Sequence, residues 1–422
     1  MDKRKIDNSA QEEKMVLVTK KEFMKMKKML SGLVIVLFLG IMGSMVFAED
    51  EFKPNIDFKG SRLAAGYLNS GKNGSYQYGS FQEPDAKLRF NWQMSPDVTI
   101  VTRMSIENAA FNSLDYFYID YRNILAQASP SLKDGPFNPT IRLGRLKLDV
   151  GEETWADNPV ESIVVSNSAS IIKGYDEGLQ LFDTIKKERF GVPIKWSLSL
   201  TNGNSGTGKD NNQAKATDFK IGVNPITELY VSGSYYNSGQ LGISTGHVAP
   251  NNADATFAGL ATAPTNATLW SRTIKELDLR YDFQPGKENR LNPGAPAWSD
   301  SKGYIRAAYG QFADDGTDKL APINKVTNRE GTYYFVEGCY NVTEKLYLGV
   351  RESKIDIKKS TMFYTLNGVN ANDYTRTSVG VGYRLTDNTH VKIEDAVNSA
   401  KVPTGTKKPE INQIALLFTT KF

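Results

Sequence analysis

From residue 56 onward the chain repeats a two-residue alternation in which one of the two faces carries full charges. In Ile194-Lys195-Trp196-Ser197-Leu198-Ser199-Leu200-Thr201, Ile, Trp and Leu fall on one face and Lys, Ser and Thr on the other. Lys87-Leu88-Arg89-Phe90-Asn91-Trp92-Gln93 and Glu276-Leu277-Asp278-Leu279-Arg280-Tyr281-Asp282-Phe283 repeat the theme. A period of two means strands with unlike faces. A soluble sandwich gives the same pattern locally. Several charges per strand, sustained to the end of the chain, instead call for an apolar face against lipid and a wet interior. Composition agrees: aromatic residues make up 11%, with 35 Gly, and mean hydropathy is −0.41. Beyond the N-terminal region no apolar run approaches the ~18 to 20 residues of a spanning helix. The expected fold class is therefore all-β, a transmembrane antiparallel β-barrel. A barrel also lets 422 residues form one domain, where a soluble core stops growing near ~250 to 300.

The N-terminal 48 residues read as an export signal. Basic Lys20, Lys21, Lys25, Lys27 and Lys28 lead into the apolar stretch 30–48, and Val46-Phe47-Ala48 offers small residues at −3 and −1, so cleavage is expected after Ala48. The domains are then 1–48, signal peptide, and 49–422, barrel. Met24-Lys25-Met26-Lys27-Lys28 also reads as an ordinary start. The signal carries nine of the 51 Lys/Arg and five of the 47 Asp/Glu, so its removal leaves 42 of each. The formal +4 thus belongs to a discarded segment and does not point to nucleic acid. One cysteine, Cys339, forms no internal disulfide, and two histidines, His247 and His390, give no basis for a metal site.

About sixteen strand-like segments start near Ile56, Ala86, Val98, Asp115, Thr140, Asp176, Ile194, Thr217, Leu229, Thr273, Lys302, Gly331, Lys345, Asp373, Thr389 and Glu410. An even number is expected of a bacterial barrel. If the first strand ascends from the periplasm, even connectors are periplasmic turns, and most are short, as in Ser95-Pro96-Asp97 and Thr386-Asp387-Asn388. Odd connectors include the long stretches 149–175, 237–272, 315–330 and 357–372. The even connectors 122–139 and 284–301 are long for turns.

Counting back by twos from Phe422 gives Thr420, Phe418, Leu416 and Ile414 on one face, a lipid-facing row that ends in an aromatic. This resembles the C-terminal strand of bacterial outer-membrane proteins, which the barrel-assembly machinery reads. The resemblance assigns Phe418 and Phe422 to assembly. With about sixteen strands, residues 411–422 descend to the periplasm and are expected to close the barrel against the strand that begins near Ile56.

The segments Gly144-Arg145-Leu146-Lys147 and Asp176-Glu177-Gly178-Leu179, on either side of a long connector, resemble the corresponding stretch of the phosphate-selective porin family. The resemblance covers about forty residues. It implies sixteen strands, a homotrimer, and a third external loop folded inward. That loop holds the acids Glu152, Glu153, Asp157 and Glu161. Inside a lumen these would face wall bases, chiefly Arg89, Arg103, Arg145 and Lys147, in a transverse field at a constriction. Alternation also turns Lys87, Lys220, Arg280, Arg306, Arg351, Arg376, Arg384 and Lys392 inward, along with acids such as Glu337 and Glu394. Charge neutrality argues against carrying phosphate specificity over from the family.

No Gly-x-Ser-x-Gly elbow, phosphate-binding loop, His-Glu-x-x-His or cysteine pair occurs, so no catalytic residue, cofactor or metal is assigned. The expected function is passive diffusion of small hydrophilic solutes and ions through an outer-membrane channel embedded in outer-membrane lipids. An anion- or phosphate-selective channel is one alternative. The other is a structural or adhesive barrel without an open pore.

Overall fold

The computed structural model describes residues 52–70, 77–107, 113–132, 137–156, 159–203, 214–242, 256–257, 269–284, 301–318, 325–326, 328–359, 364–366, 369–371, 373–402, 404 and 412–422. The expected export signal, residues 1–48, lies outside them.

Sixteen strands form the wall: β1 Arg62–Ser70, β2 Ser80–Gln93, β3 Val98–Ser105, β4 Ser113–Tyr121, β5 Thr140–Lys147, β6 Tyr175–Ile185, β7 Ile194–Thr201 and β8 Ala216–Ile226, then β9 Leu229–Asn237, β10 Leu269–Phe283, β11 Gly303–Asp318, β12 Arg329–Asn341, β13 Leu346–Lys359, β14 Asp373–Thr386, β15 Thr389–Lys401 and β16 Gln413–Lys421. Each pairs antiparallel with the next, and β16 returns to β1 from Arg62↔Lys421 to Ser70↔Gln413. The sheet is thus closed, and every central strand has both its hydrogen-bonding edges satisfied.

Two irregularities in the first hairpin correct the expected boundaries. Asn55–Asp57, where the first strand was expected to begin, pairs with β2 at Asn91 to Gln93 and not with the terminal strand. The closing partner starts at Arg62. Between them Gly60, at φ +94°, and Ser61 hold one extra residue relative to β2. This is a bulge of the kind that needs a left-handed glycine, and the Ser61 hydroxyl bridges it by donating to the Arg89 carbonyl and accepting from the Arg89 N–H. The second irregularity explains why β2 begins at Ser80 and not near Ala86. Pro84 sits in a second register shift, between the pairs Ala64↔Asp85 and Gly66↔Gln82, a place where a residue without an N–H is tolerated in a strand.

The faces separate as the alternation requires. Trp92, Leu143, Leu198, Leu277, Tyr281, Val350, Val379, Tyr383, Leu416 and Phe418 are exposed, while Arg280, Glu337, Arg351 and Lys392 on the opposite face are buried. An exposed apolar band on every side of a closed sheet is what lipid contact selects. Val379 is 56% exposed in the middle of β14. We expect Val379→Arg to destabilise the folded barrel by about 2–4 kcal/mol, measured by denaturant titration in lipid vesicles. Ser378→Thr, on the other face, is the control for position.

The short connectors are tied by local side chains. Ser95 Oγ accepts from the N–H groups of Asp97 and Val98, the usual serine route to a tight turn. The long connector 122–139 contains a short helix, Ile124–Ala128, and a 3-10 turn, Pro130–Leu132, so its length folds into structure of its own. Asn123 Nδ2 donates to Asp97 Oδ1 at 2.5 Å, binding this connector to the neighbouring turn.

Candidate functional site

The connector between β5 and β6, residues 148–174, bonds to the buried, polar faces of strands on two sides of the barrel. Its first half is held by β7 to β10. Asp149 accepts from Trp155 Nε1 at 2.6 Å, Ser197 Oγ at 2.7 Å and Lys220 Nζ at 3.0 Å. Burial works against its charge, but Lys220 and Lys195 together with these donors keep its carboxyl well below the usual range. Glu152, fully buried, meets Lys220 at 2.8 Å and accepts from Tyr230 Oη at 2.7 Å and Ser232 Oγ at 3.1 Å. Its own N–H donates to Asp278 Oδ1. One ammonium therefore serves two carboxylates of the connector.

The second half is held by β12 to β15. Arg351 donates to Ser166 O at 2.8 Å, Ser162 Oγ at 3.0 Å and Glu337 Oε2 at 2.7 Å, and Glu337 is also met by Arg306 at 3.0 Å. Glu394 accepts from the N–H groups of Val165 and Ser166, both at 2.6 Å. Lys392 Nζ donates to the carbonyls of Pro159, Val160 and Ser162, which uses all three ammonium protons. Arg376 donates to Asn167 O at 2.7 Å and Ser353 Oγ accepts from Ala169 N. Every unpaired backbone group named here meets a strand side chain built to receive it.

Above this polar belt lies an apolar plug that alternation did not anticipate. Leu146, Leu148, Val150, Ala169 and Ile172 of β5 and the connector pack with Ile274, Phe312, Tyr333, Ile355 and Tyr374 of the strands. The wall residues share a face with buried charges of the same strands, such as Glu276 beside Ile274. Their signal was in the sequence, as apolar residues of charged-face parity near the long-connector ends of β10 to β14.

The face of β1 to β6 is different. Arg62 pairs with Asp85 at 2.7 Å, Lys87 with Glu107 at 2.5 Å, and Arg142 with Asp120 at 2.7 and 2.9 Å. Their basic side chains keep 10, 13 and 12% of their surface exposed, against 3% for Lys220 and 2% for Arg351. Arg89 stands opposite Arg103 in register. Arg103 bonds Asp115 at 2.9 Å and Tyr175 Oη at 2.6 Å and lies 4.5 Å from the Tyr116 ring. Arg89 bonds Asn91 Oδ1 at 2.8 Å and, among the described residues, forms no ion pair.

The expected constriction set is thus divided. Arg89 and Arg103 share the partly exposed wall. Arg145 does not join them: it lies in the row of Phe117, which is 49% exposed, and pairs with Glu177 at 3.1 Å. Leu143 and Arg145 share a parity, so the inward base of this strand is Arg142, which sequence reasoning passed over. Lys147, the last residue of β5, donates to the Thr154 carbonyl and lies 5.5 Å from the Trp155 ring. Glu152 and Glu153 do meet bases, but these are Lys220 and Arg351 (3.8 Å from Glu153), and both acids are buried. They are consumed in anchoring and do not face Arg89 or Arg103. Glu161 keeps partial exposure 3.5 Å from Lys421, and Asp157 lies outside the described residues. Phe418 is exposed on the outer face, and Phe422 joins the seam by donating to Ser61 O and accepting from Gly60 N.

No family model and no curated protein matches the chain. Solved structures do. DcaP, an outer membrane channel of Acinetobacter baumannii, superposes with a TM-score of 0.55 at 11% identity, over 88% of this chain and 99% of that one. OmpT, an outer membrane protein of Vibrio cholerae in a trimer form, gives 0.53 at 10% over 88% and 100%. An anion-selective porin from Comamonas acidovorans gives 0.51 at 10% over 88% and 100%. The chain has the closed sixteen-stranded barrel fold that these outer-membrane proteins share.

Proposed function

We propose that the protein is a bacterial outer-membrane porin, exported with a signal peptide cleaved after Ala48 and assembled as a homotrimer. It passes small hydrophilic solutes and ions by diffusion. The connector 148–174 is the element that narrows its lumen. The observation that carries this reading is the contrast between the two sides of the charged face. On β8, β13 and β15 the bases Lys220, Arg351 and Lys392 are buried against the connector, whereas Arg62, Lys87, Arg89 and Arg142 on β1 to β5 remain part-exposed. A crescent of water along this second wall, with fixed charges at its edge, is a path for hydrated solutes and an obstacle to apolar ones.

Within that crescent the local excess is cationic at Arg89, which supports a preference for anions. Phosphate specificity of the kind its sequence resemblance implies would need more such unpaired bases than this one. Planar-bilayer recording in a potassium chloride gradient tests both levels. Stepwise conductance is expected for the wild type, and Arg89→Glu is expected to move the reversal potential toward cation preference. Absence of any ion-permeable state would leave the structural or adhesive reading in place of the channel.

A further inference from the structure

The outer surface of β8 to β11 carries a notch. Across these strands one row of side chains reads Ile221, Gly233, Leu277, Tyr309, and the next row toward the long connectors reads Phe219, Tyr235, Lys275, Gln311. Gly233 contributes no side chain, and a Cβ there would meet only Glu276 O, at 3.9 Å. The result is a groove of about 470 Å³ whose outer walls are Phe219, Ile221, Tyr235, Leu277 and Tyr309. Directly beside it is a polar cleft of about 300 Å³ holding Thr273, Lys275, Gln311, Thr332 and Lys358, with Glu330 as its one acid. The two hollows share Lys275 and Gln311. Among the described residues neither Lys275 nor Lys358 makes an ion pair.

Lys275 also marks a level. On the outer face of β10 the residues beyond it, toward the level of the tight β8–β9 turn, are Leu277, Leu279, Tyr281 and Phe283, all exposed. Those before it are Thr273 and Ser271. The groove therefore lies within the apolar band and the cleft at its polar rim, the level at which lipid headgroups sit.

We propose that this groove and cleft are a binding site for one phosphate-bearing lipid of the leaflet on the long-connector side. An acyl chain lies in the notch over Gly233, and the phosphate reaches the Lys275 and Lys358 ammonium groups. Charge complementarity commits the site to an anionic amphiphile: two ammonium groups with no ion pair among the described residues, beside hydroxyl and amide donors, suit a phosphate, and the apolar notch below them suits hydrocarbon. The proposal rests on the membrane-spanning reading of the barrel but not on conduction, so it stands or falls separately from the channel.

The test is native mass spectrometry of the full-length protein, folded in neutral detergent, with dipalmitoyl phosphatidic acid, dipalmitoyl phosphatidylcholine or inorganic phosphate. One phosphatidic acid per barrel is expected to survive activation that strips phosphatidylcholine, and inorganic phosphate alone is not retained. Lys275→Gln and Lys358→Gln each weaken retention about fivefold, the effect of one interfacial base. Gly233→Leu fills the notch and weakens it by about tenfold or more, the equivalent of two lost methylene contacts. Gly233→Ala, with its open surroundings, stays near wild type and reports that substitution at this position leaves the barrel folded. Equal retention of the two lipids, retention of free phosphate, or indifference to Gly233→Leu overturns the proposal. So does a change of oligomeric state on Gly233→Leu without a change in lipid retention, which would assign the groove to a second copy of the chain.

Discussion

Replacing Lys220 with methionine is expected to be the most damaging single change among those the structure suggests, lowering the stability of the folded barrel by about 3–5 kcal/mol at neutral pH. The methionine keeps the bulk and removes the ammonium between Asp149 and Glu152, which lie 3.0 and 2.8 Å from it. Two buried carboxylates then lose their nearest cation, with Asp218, Glu276 and Asp278 close by on β8 and β10. The pH dependence fixes the cause. Asp149 titrates lower in the folded protein than in the unfolded chain, so its contribution is fully present above the unfolded carboxylate pKa of about 3.9 and fades as pH falls below it. The gap between wild type and Lys220→Met should therefore narrow on acidification into that range. Denaturant titrations at pH 7 and pH 3.5 measure it, and a gap independent of pH would rule out this origin.

The second large effect is expected at Arg351. Arg351→Ala removes the donors to Ser162 and Ser166, the cation 3.8 Å from Glu153 and one of the two cations on Glu337. Because Arg306 still meets Glu337, the loss should fall near the lower end for a broken buried pair, about 3 kcal/mol. The more specific readout is local. Backbone amides of Val165 and Ser166 should exchange with solvent faster than in the wild type, while those of β12 and β13 stay protected. Channel recordings should show added current noise from the released half of the connector. Arg351→Lys, a point charge without the planar fork, should recover the charge on Glu337 and not the bonds to the connector. Uniform loss of protection across β12 and β13 would instead mean that Arg351 holds the wall and not the connector.

Much of the architecture was legible because the membrane reading imposes a simple rule on every strand. Strand number and order, the short turns and the outward aromatics all follow from alternation with apolar residues on one face, as at Leu277 and Tyr281. Where the rule failed, a local backbone event or tertiary burial intervened. The bulges at Gly60 and Pro84 shift the register within a strand, which alternation alone does not record. Arg145 is expected to face the lumen, but it shares its parity with Leu143 and pairs with Phe117, both exposed on the outer face. The connector acids are expected to face Arg89, Arg103, Arg145 and Lys147, and do meet bases, but those of Glu152 and Glu153 are Lys220 and Arg351, 68 and 198 residues further along the chain, a pairing that alternation does not encode. The plug around Ile274 and Phe312 was missed for a related reason: a wet interior was assumed along the whole strand, and only the connector's own Leu148 and Ile172 make part of it dry.

The seam between β1 and β16 has a kinetic consequence. Arg62 finds Lys421, and Ser70 finds Gln413, so the bonds that remove the last open edges join the two most distant wall segments, whereas every other pairing joins sequence neighbours. Contacts of such separation form late because their loop entropy has to be met first. Until then a nearly complete sheet exposes two long, unpaired margins, each a template for another chain. Aggregation during folding should therefore be governed by how quickly this one junction zips shut. Substitutions along residues 62–70 and 413–421 should alter yield far more than equally conservative changes in the middle of the wall, even where final stability is the same.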